Sequence, residues 1–159
     1  MPIDNETPEY KTLNITRTFD APRELVWDAW TQPEQFAQWY APDDFTIPVC
    51  ELDVRPEGKV RIDMKGPDGT VYPSSGEFKE VAKPEHLAFT NSPLDGDGNQ
   101  LFVVLHTLEL AETDGQTTLN LTSEVLSAGP DAAPFLAGME TGLNQAIQKL
   151  DRLVNKLAA

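Results

Sequence analysis

The sequence predicts an α+β fold in which an antiparallel sheet carries one long C-terminal helix, with two short helices after the first strand. Three observations lead there. Several runs alternate apolar and polar residues with the period of two that marks a half-buried strand. The segment after the first such run repeats its apolar residues at helical spacing instead. The last part of the chain, from about Asp131 to Leu157, keeps a three-and-four apolar spacing throughout.

Each element has a local reason. From Leu13 to Asp20, Leu13, Ile15 and Phe19 alternate with Asn14, Thr16 and Thr18, and Arg17 interrupts the apolar face. Residues 1–12, with Asp4, Glu6, Glu9 and two prolines, read as a flexible N-terminal arm, and residues 13–159 as a single domain. Asp20-Ala21-Pro22 opens a helix, since proline fits the first turn, and Leu25, Val26, Ala29 and Trp30 form its apolar side. Thr31-Gln32-Pro33-Glu34 has the form of a capping box, which predicts a second helix through Phe36, Trp39 and Tyr40 that Pro42 stops.

Strands are then expected at 45–54, 59–65, 70–81, 86–91, 101–111 and 117–125. The turns between them carry the residues that turns need, such as Gly66-Pro67-Asp68-Gly69, Asp95-Gly96-Asp97-Gly98 and Asp114-Gly115. Lys59 to Lys65 is the plainest case, with Val60, Ile62 and Met64 on one face and Lys59, Arg61, Asp63 and Lys65 on a wet one. In the final helix Asp131 is the expected N-cap and Pro134 sits in the first turn. Leu136, Met139, Leu143, Ala146, Ile147, Leu150, Leu153, Val154 and Leu157 lay one stripe on the sheet.

Composition narrows the function. In 159 residues, 12 Lys and Arg stand against 26 Asp and Glu, a net charge of −14 that repels phosphate backbones and anionic lipid. Neither nucleic acid nor a membrane is an expected partner. The single Cys50 excludes an intramolecular disulfide, and two histidines are too few for a His- and Cys-rich metal site. The longest apolar run, Leu101 to Leu110, is broken by His106, Thr107 and Glu109 and falls far short of the roughly 18 residues of a membrane helix. A soluble, cytoplasmic protein is the expectation.

The string from Ile15 through Thr16-Arg17-Thr18-Phe19-Asp20-Ala21-Pro22 and Leu25-Val26-Trp27-Asp28-Ala29-Trp30-Thr31-Gln32-Pro33-Glu34, followed by Gln38-Trp39-Tyr40, resembles the START-like (SRPBCC) superfamily. Within it the chain is most similar to the heat-shock ATPase activator-like (Aha-type) family. Gly76-Glu77-Phe78-Lys79-Glu80-Val81 and Pro84-Glu85-His86-Leu87-Ala88-Phe89-Thr90 match that family's later motifs. The resemblance spans about Leu13 to Leu157. It implies a helix-grip architecture (START-like or Bet v-like), in which a curved antiparallel sheet wraps the long helix and leaves an internal cavity. Members often carry a Gly-Trp pair in the last helix. Here Leu143 follows Gly142, which removes an aromatic from one cavity wall.

Candidate lining residues come from each part of the chain. Trp27, Trp30, Trp39 and Tyr40 crowd the helical pair with Phe36 and Phe45, as core or as an aromatic gate. Met64, Phe78, Phe89 and Phe102 belong to the strands, and Met139 and Leu143 to the last helix. His106 alternates with Phe102, Val104, Leu108 and Leu110, so it is expected on an apolar face as a hydrogen-bonded buried side chain, with ligand contact or proton transfer as the competing role. Arg17 on its apolar face calls for a carboxylate such as Glu77 or Asp63, or for an anionic ligand. Tyr72 offers a phenol, although a strand tyrosine is ordinary packing. Cys50 reads as a structural thiol, and the acidic clusters lack the closing acid of a calcium loop.

No nucleophile paired with a base, no carboxylate pair and no metal-ligand spacing emerges, so no catalytic residue, cofactor or metal is expected. The leading expectation is a non-enzymatic protein that binds a small apolar or amphipathic ligand in its cavity. A protein-interaction or co-chaperone-like module with a chaperone partner is the alternative. A cyclase or aromatase-type enzyme, with His106, Tyr72 or Arg17 handling protons, is the second. The second face of Leu101, Val103 and Leu105 is also apolar, which suits a homodimer.

Overall fold

A meander of six strands, each paired antiparallel with the next, ends beside the first described strand. The computed structural model describes residues 12–129 and 132–159. Its elements run β1 (Thr12–Phe19), α1 (Arg23–Thr31), α2 (Pro33–Trp39), β2 (Thr46–Leu52), β3 (Lys59–Lys65), β4 (Val71–Ala82), β5 (His86–Pro93), β6 (Phe102–Thr113), β7 (Gln116–Ala128) and α3 (Ala133–Ala158). The sheet order is β1-β7-β6-β5-β4-β3-β2. This is a curved, unclosed antiparallel sheet with a C-terminal helix and short helices after the first strand, the helix-grip arrangement.

The strand registers put the alternating residues where the sequence predicts. Along β6, Phe102, Val104, His106, Leu108 and Leu110 all face inward and are buried. In β7, Leu119, Leu121, Ser123 and Val125 face the same way, and the register sets Ser123 beside His106. Gly76 of β4 is dictated by space, since a Cβ there would stand 1.8 Å from the Thr90 carbonyl oxygen of β5. Only glycine lets these two backbones approach so closely.

Four local expectations change. Thr31 and Glu34 form no capping box: Thr31 is the last residue of α1, and its hydroxyl donates to the Trp27 carbonyl at 2.8 Å. The residue preceding α2 is Gln32, with no side-chain cap, and the proline that follows it has no amide to satisfy. Asp131 lies outside the described residues, and the residue preceding α3 is Ala132. Thr12, assigned by the sequence to the arm, pairs with Glu124 of β7, while the rest of the arm lies outside the described residues. Asp63, expected on a wet strand face, is only 8% exposed and forms an ion pair with Arg61 at 3.3 Å.

The main core joins α1, α2 and the C-terminal half of α3 to the inner face of the sheet. Trp30, Phe36 and Trp39 sit at its centre with Phe78 and Phe89. The Trp30 and Trp39 rings lie 4.5 Å apart at 67°, the edge-on geometry that aromatic quadrupoles favour. The buried Trp39 indole N–H donates to the Ala29 carbonyl at 2.8 Å, which ties α2 to α1. A second, smaller cluster of Phe102, Val104, Val125 and Ala132 packs under Leu136 and Met139 at the other end of α3.

Candidate functional site

The residue that follows α2 begins the site. Tyr40 keeps a helical hydrogen bond to the Phe36 carbonyl at 3.1 Å, and its ring stacks on Phe36 at 4.4 Å and 25°. These contacts aim the phenol at β5 and β6. Its oxygen lies 3.0 Å from His106 Nε2, His106 Nδ1 lies 2.7 Å from Ser123 Oγ, and Asn91 Nδ2 donates to the Tyr40 oxygen at 3.3 Å. Two proton orders satisfy these contacts: Tyr40 donates to Nε2 while Nδ1–H donates to Ser123, or Ser123 donates to Nδ1 while Nε2–H donates to Tyr40.

Burial keeps every member of this chain neutral. It pushes the Tyr40 phenol up to about 12, an effect its hydrogen bond to Asn91 partly offsets, and pushes His106 down to about 4. Both imidazole nitrogens are hydrogen-bonded, and burial makes His106 a weak base. Asn91 is 7% exposed, and its Oδ1 is buried without a hydrogen-bond partner among the described residues. A buried carbonyl left unpaired is unusual, since most such groups find a donor.

Beside this chain lies a cleft of about 310 Å³ between the sheet, the α2–β2 connection and the N-terminal half of α3. Gly138 and Gly142, one turn apart on α3, present no side chain to it. The rim is held from α3, where Lys149 Nζ donates to the Pro42 carbonyl at 3.2 Å and the Asp43 amide donates to Gln145 Oε1 at 3.0 Å. Burial is the main reason the Lys149 ammonium titrates below its ordinary value.

Of the residues singled out in the sequence, Tyr40, Met64, Phe102, His106, Met139 and Leu143 line this cleft. Tyr72 lines an adjoining recess with Phe45. Trp27, Trp30, Trp39, Phe78 and Phe89 are buried in the main core and do not line the cleft. Arg17 corrects an expectation: it is half-buried in a separate groove beside Glu140 and Asn144 and has no ion pair among the described residues. The carboxylates proposed for it are engaged elsewhere, Glu77 with Lys79 at 2.7 Å and Asp63 with Arg61. A half-exposed guanidinium stays hydrated and needs no partner.

Cys50 is half-buried, and its thiol is pushed up to about 12 by burial first and then by Glu34 and Glu51, which leaves it a poor nucleophile. The Asp95 turn folds on itself, its carboxylate accepting from the Asp97 and Asn99 amides at 2.8 and 2.9 Å. No group of three metal-ligating side chains forms among the described residues. None of their helices is long and apolar enough to cross a membrane.

Sequence reasoning missed Asn91, Ser123 and Gly138, and named Gly142 only as the neighbour of Leu143. Asn91 shares the alternation of Leu87 and Phe89, and Ser123 that of Leu119 and Leu121, so both were legible as polar residues on an inward face. The glycines were legible as gaps in the apolar stripe of α3.

A family model described as activator of Hsp90 ATPase homolog 1-like protein matches residues 20–155. The chain belongs to this family. Among solved structures, it is similar to a Mycobacterium smegmatis protein at 30% identity and a TM-score of 0.75, covering 95% of this chain and 93% of that one. A Nitrosomonas europaea protein shares 27% identity with a TM-score of 0.77, covering 97% of both chains. One from Arthrobacter aurescens shares 25% with a TM-score of 0.80, covering 94% of this chain and 92% of the other. No curated protein matches. The likeness extends over the whole helix-grip unit, including the strands and helix that border the cleft.

Proposed function

We propose that this activator of Hsp90 ATPase homolog 1-like chain is a non-enzymatic binding protein for a small apolar or amphipathic molecule, held in the cleft beside Tyr40 and His106. The observation that carries this reading is the pairing of apolar walls with one neutral polar cluster, the usual make-up of a small-molecule site. Apolar surface supplies affinity and the few polar atoms fix orientation. A cyclase-type reaction would need a group able to take a proton. His106, pushed down to about 4 by burial, is a weak base hydrogen-bonded at both nitrogens, and Arg17 lies in a separate groove.

Native mass spectrometry of freshly purified protein, repeated after denaturation and organic extraction, tests the reading. A reproducible small-molecule adduct, lost in a Gly138→Leu variant that fills the cleft, is the expected result. An adduct that persists in that variant would overturn the assignment to this cleft.

The net charge of −14 favours a second reading, a co-chaperone-like module that docks a basic surface of a chaperone. Binding of a heat-shock ATPase at low salt that fades as salt rises would support it; no binding at low salt would exclude it. A cytoplasmic setting accords with the free Cys50 in either reading.

A further inference from the structure

We propose that the free edge of β1 is a docking surface for a second copy of this chain, whose own β1 adds to it antiparallel and joins the two sheets across a two-fold axis. The inference is independent of what the cleft binds.

The two edges of the sheet are built differently. β1 and β2 are its outermost strands. β2 carries two devices that keep an edge from pairing: Pro48 lacks an amide, and the ladder to β3 shifts register between Thr46 and Val49. β1 has neither. All eight of its residues keep an unbroken register with β7, none is proline, and Arg17 is its one charge. Among the described residues β7 is its only strand partner. A groove of about 500 Å³ follows Thr12 to Arg17, bordered from α3 by Glu140 and Asn144. The edge of β1 is open where that of β2 is guarded.

The chemistry of this edge names its occupant. A chain of net charge −14 repels its own copy except where the surface is locally balanced. Arg17 and Glu140 border the same groove, and neither forms an ion pair among the described residues. Two such grooves are complementary across a two-fold axis, Arg17 of each copy meeting the partner's Glu140. An axis at Ile15 sets Arg17 opposite the partner's Leu13, which lines the same groove as the partner's Glu140. Half-buried Ile15 then closes its exposed side on the partner's Ile15.

On the outer face the same axis sets Asn14 opposite the partner's Thr16. β1 already makes such pairs with β7, where Thr16 Oγ1 donates to Asn120 Oδ1 at 2.9 Å and Thr122 Oγ1 donates to Asn14 Oδ1 at 3.1 Å. The Asn14 amide N–H groups and the Thr16 oxygen lone pairs remain for the second neighbour. The apolar outer face around Val103 and Leu105 fits a second copy less well. Glu124 stands opposite Leu105 there, and a two-fold would bring a like charge to it.

Sedimentation velocity of the full chain at near-physiological salt, over about 1–300 μM, tests this. A reversible monomer–dimer equilibrium is expected. Ile15→Lys and Ile15→Glu each put like charges opposite one another at the axis and should weaken the dimer about 10-fold or more, while an equal mixture of the two variants should restore it. Arg17→Glu and Glu140→Arg should each weaken it several-fold, and the double variant should recover it. These last two positions face solvent, so they decide the matter if the Ile15 variants fail to fold, which circular dichroism checks.

A chain that stays monomeric throughout would overturn the proposal. A dimer that survives the Ile15, Arg17 and Glu140 substitutions but is lost in Leu126→Glu would overturn it in favour of the outer face. Single variants that dissociate, with neither the mixture nor the double variant recovering the dimer, would overturn the Ile15-centred pairing.

Discussion

The two halves of α3 follow one apolar spacing and do opposite things. Toward the C-terminus, Ala146, Ile147, Leu150 and Val154 are fully buried in the main core with Trp30 and Phe36. Toward the N-terminus, Leu136 and Met139 are only partly buried over the small second cluster, and Gly138 and Gly142 border the cleft. One half fills the concave side of the sheet and the other leaves it hollow. Helical periodicity alone thus predicts which face meets the sheet, while side-chain volume decides whether that face forms core or a site.

The largest effect separating the halves is a truncation in each. Leu150→Ala should cost about 2–5 kcal/mol, because the dry core around it cannot collapse to fill the space. Met139→Ala should cost under about 1 kcal/mol at its partly exposed position yet weaken retention of a small molecule in the cleft it lines. Urea unfolding measures both, and equal losses would break the contrast.

The polar chain at the boundary between the halves makes stability depend on pH. Folded His106 titrates at about 4 and its ordinary value is 6.5, so between these limits the unfolded chain binds more protons than the folded one. Stability then rises with pH in that window. The contribution of His106 is complete above 6.5 and is lost as pH falls toward 4, a swing of about 3 kcal/mol at most. Urea midpoints at several pH values should show this slope in the wild type and not in His106→Gln. Parallel profiles would mean that His106 is hydrated in the folded protein. Tyr40→Phe should cost somewhat less, about 1–2 kcal/mol, by leaving His106 Nε2 and Asn91 Nδ2 without their shared partner. Thermal unfolding checks it.

Much of the sheet was legible because each strand is marked twice, by alternation and by turn chemistry at its ends. Lys59–Lys65 falls where Val60, Ile62 and Met64 place it, and His106 faces inward as its neighbours require. The site was only half legible. Tyr40, Met64, Phe102, Met139 and Leu143 announce themselves as apolar residues, but nothing local tells a cleft wall from a core position such as Trp30 or Phe89. That distinction depends on what stands opposite, and pairs such as Tyr40 with His106 are 66 positions apart in the chain. The capping box failed because Thr31 remains in α1, its hydroxyl donating to the Trp27 carbonyl, and Gln32 is the residue before α2.

The smallest effect sharpens the comparison most. A Cβ built on Gly138 meets nothing within 4 Å, whereas one on Gly142 reaches the Pro42 ring at 3.4 Å. Gly138→Ala therefore removes the backbone entropy of a helical glycine without a clash and should stabilise the protein by about 0.5–1 kcal/mol. For a chain of this size that is a rise in Tm of about 1–4 °C. Gly142→Ala gains the same entropy against a contact at the edge of van der Waals distance, so its rise should be smaller. If both substitutions stabilise equally, Pro42 yields readily and the rim is soft. If Gly138→Ala destabilises, the N-terminal half of α3 is packed after all, and the contrast with Ile147 and Leu150 fails. A natural helix that keeps glycine where alanine is more stable is holding volume open, and in this fold the volume at Gly138 belongs to the cleft.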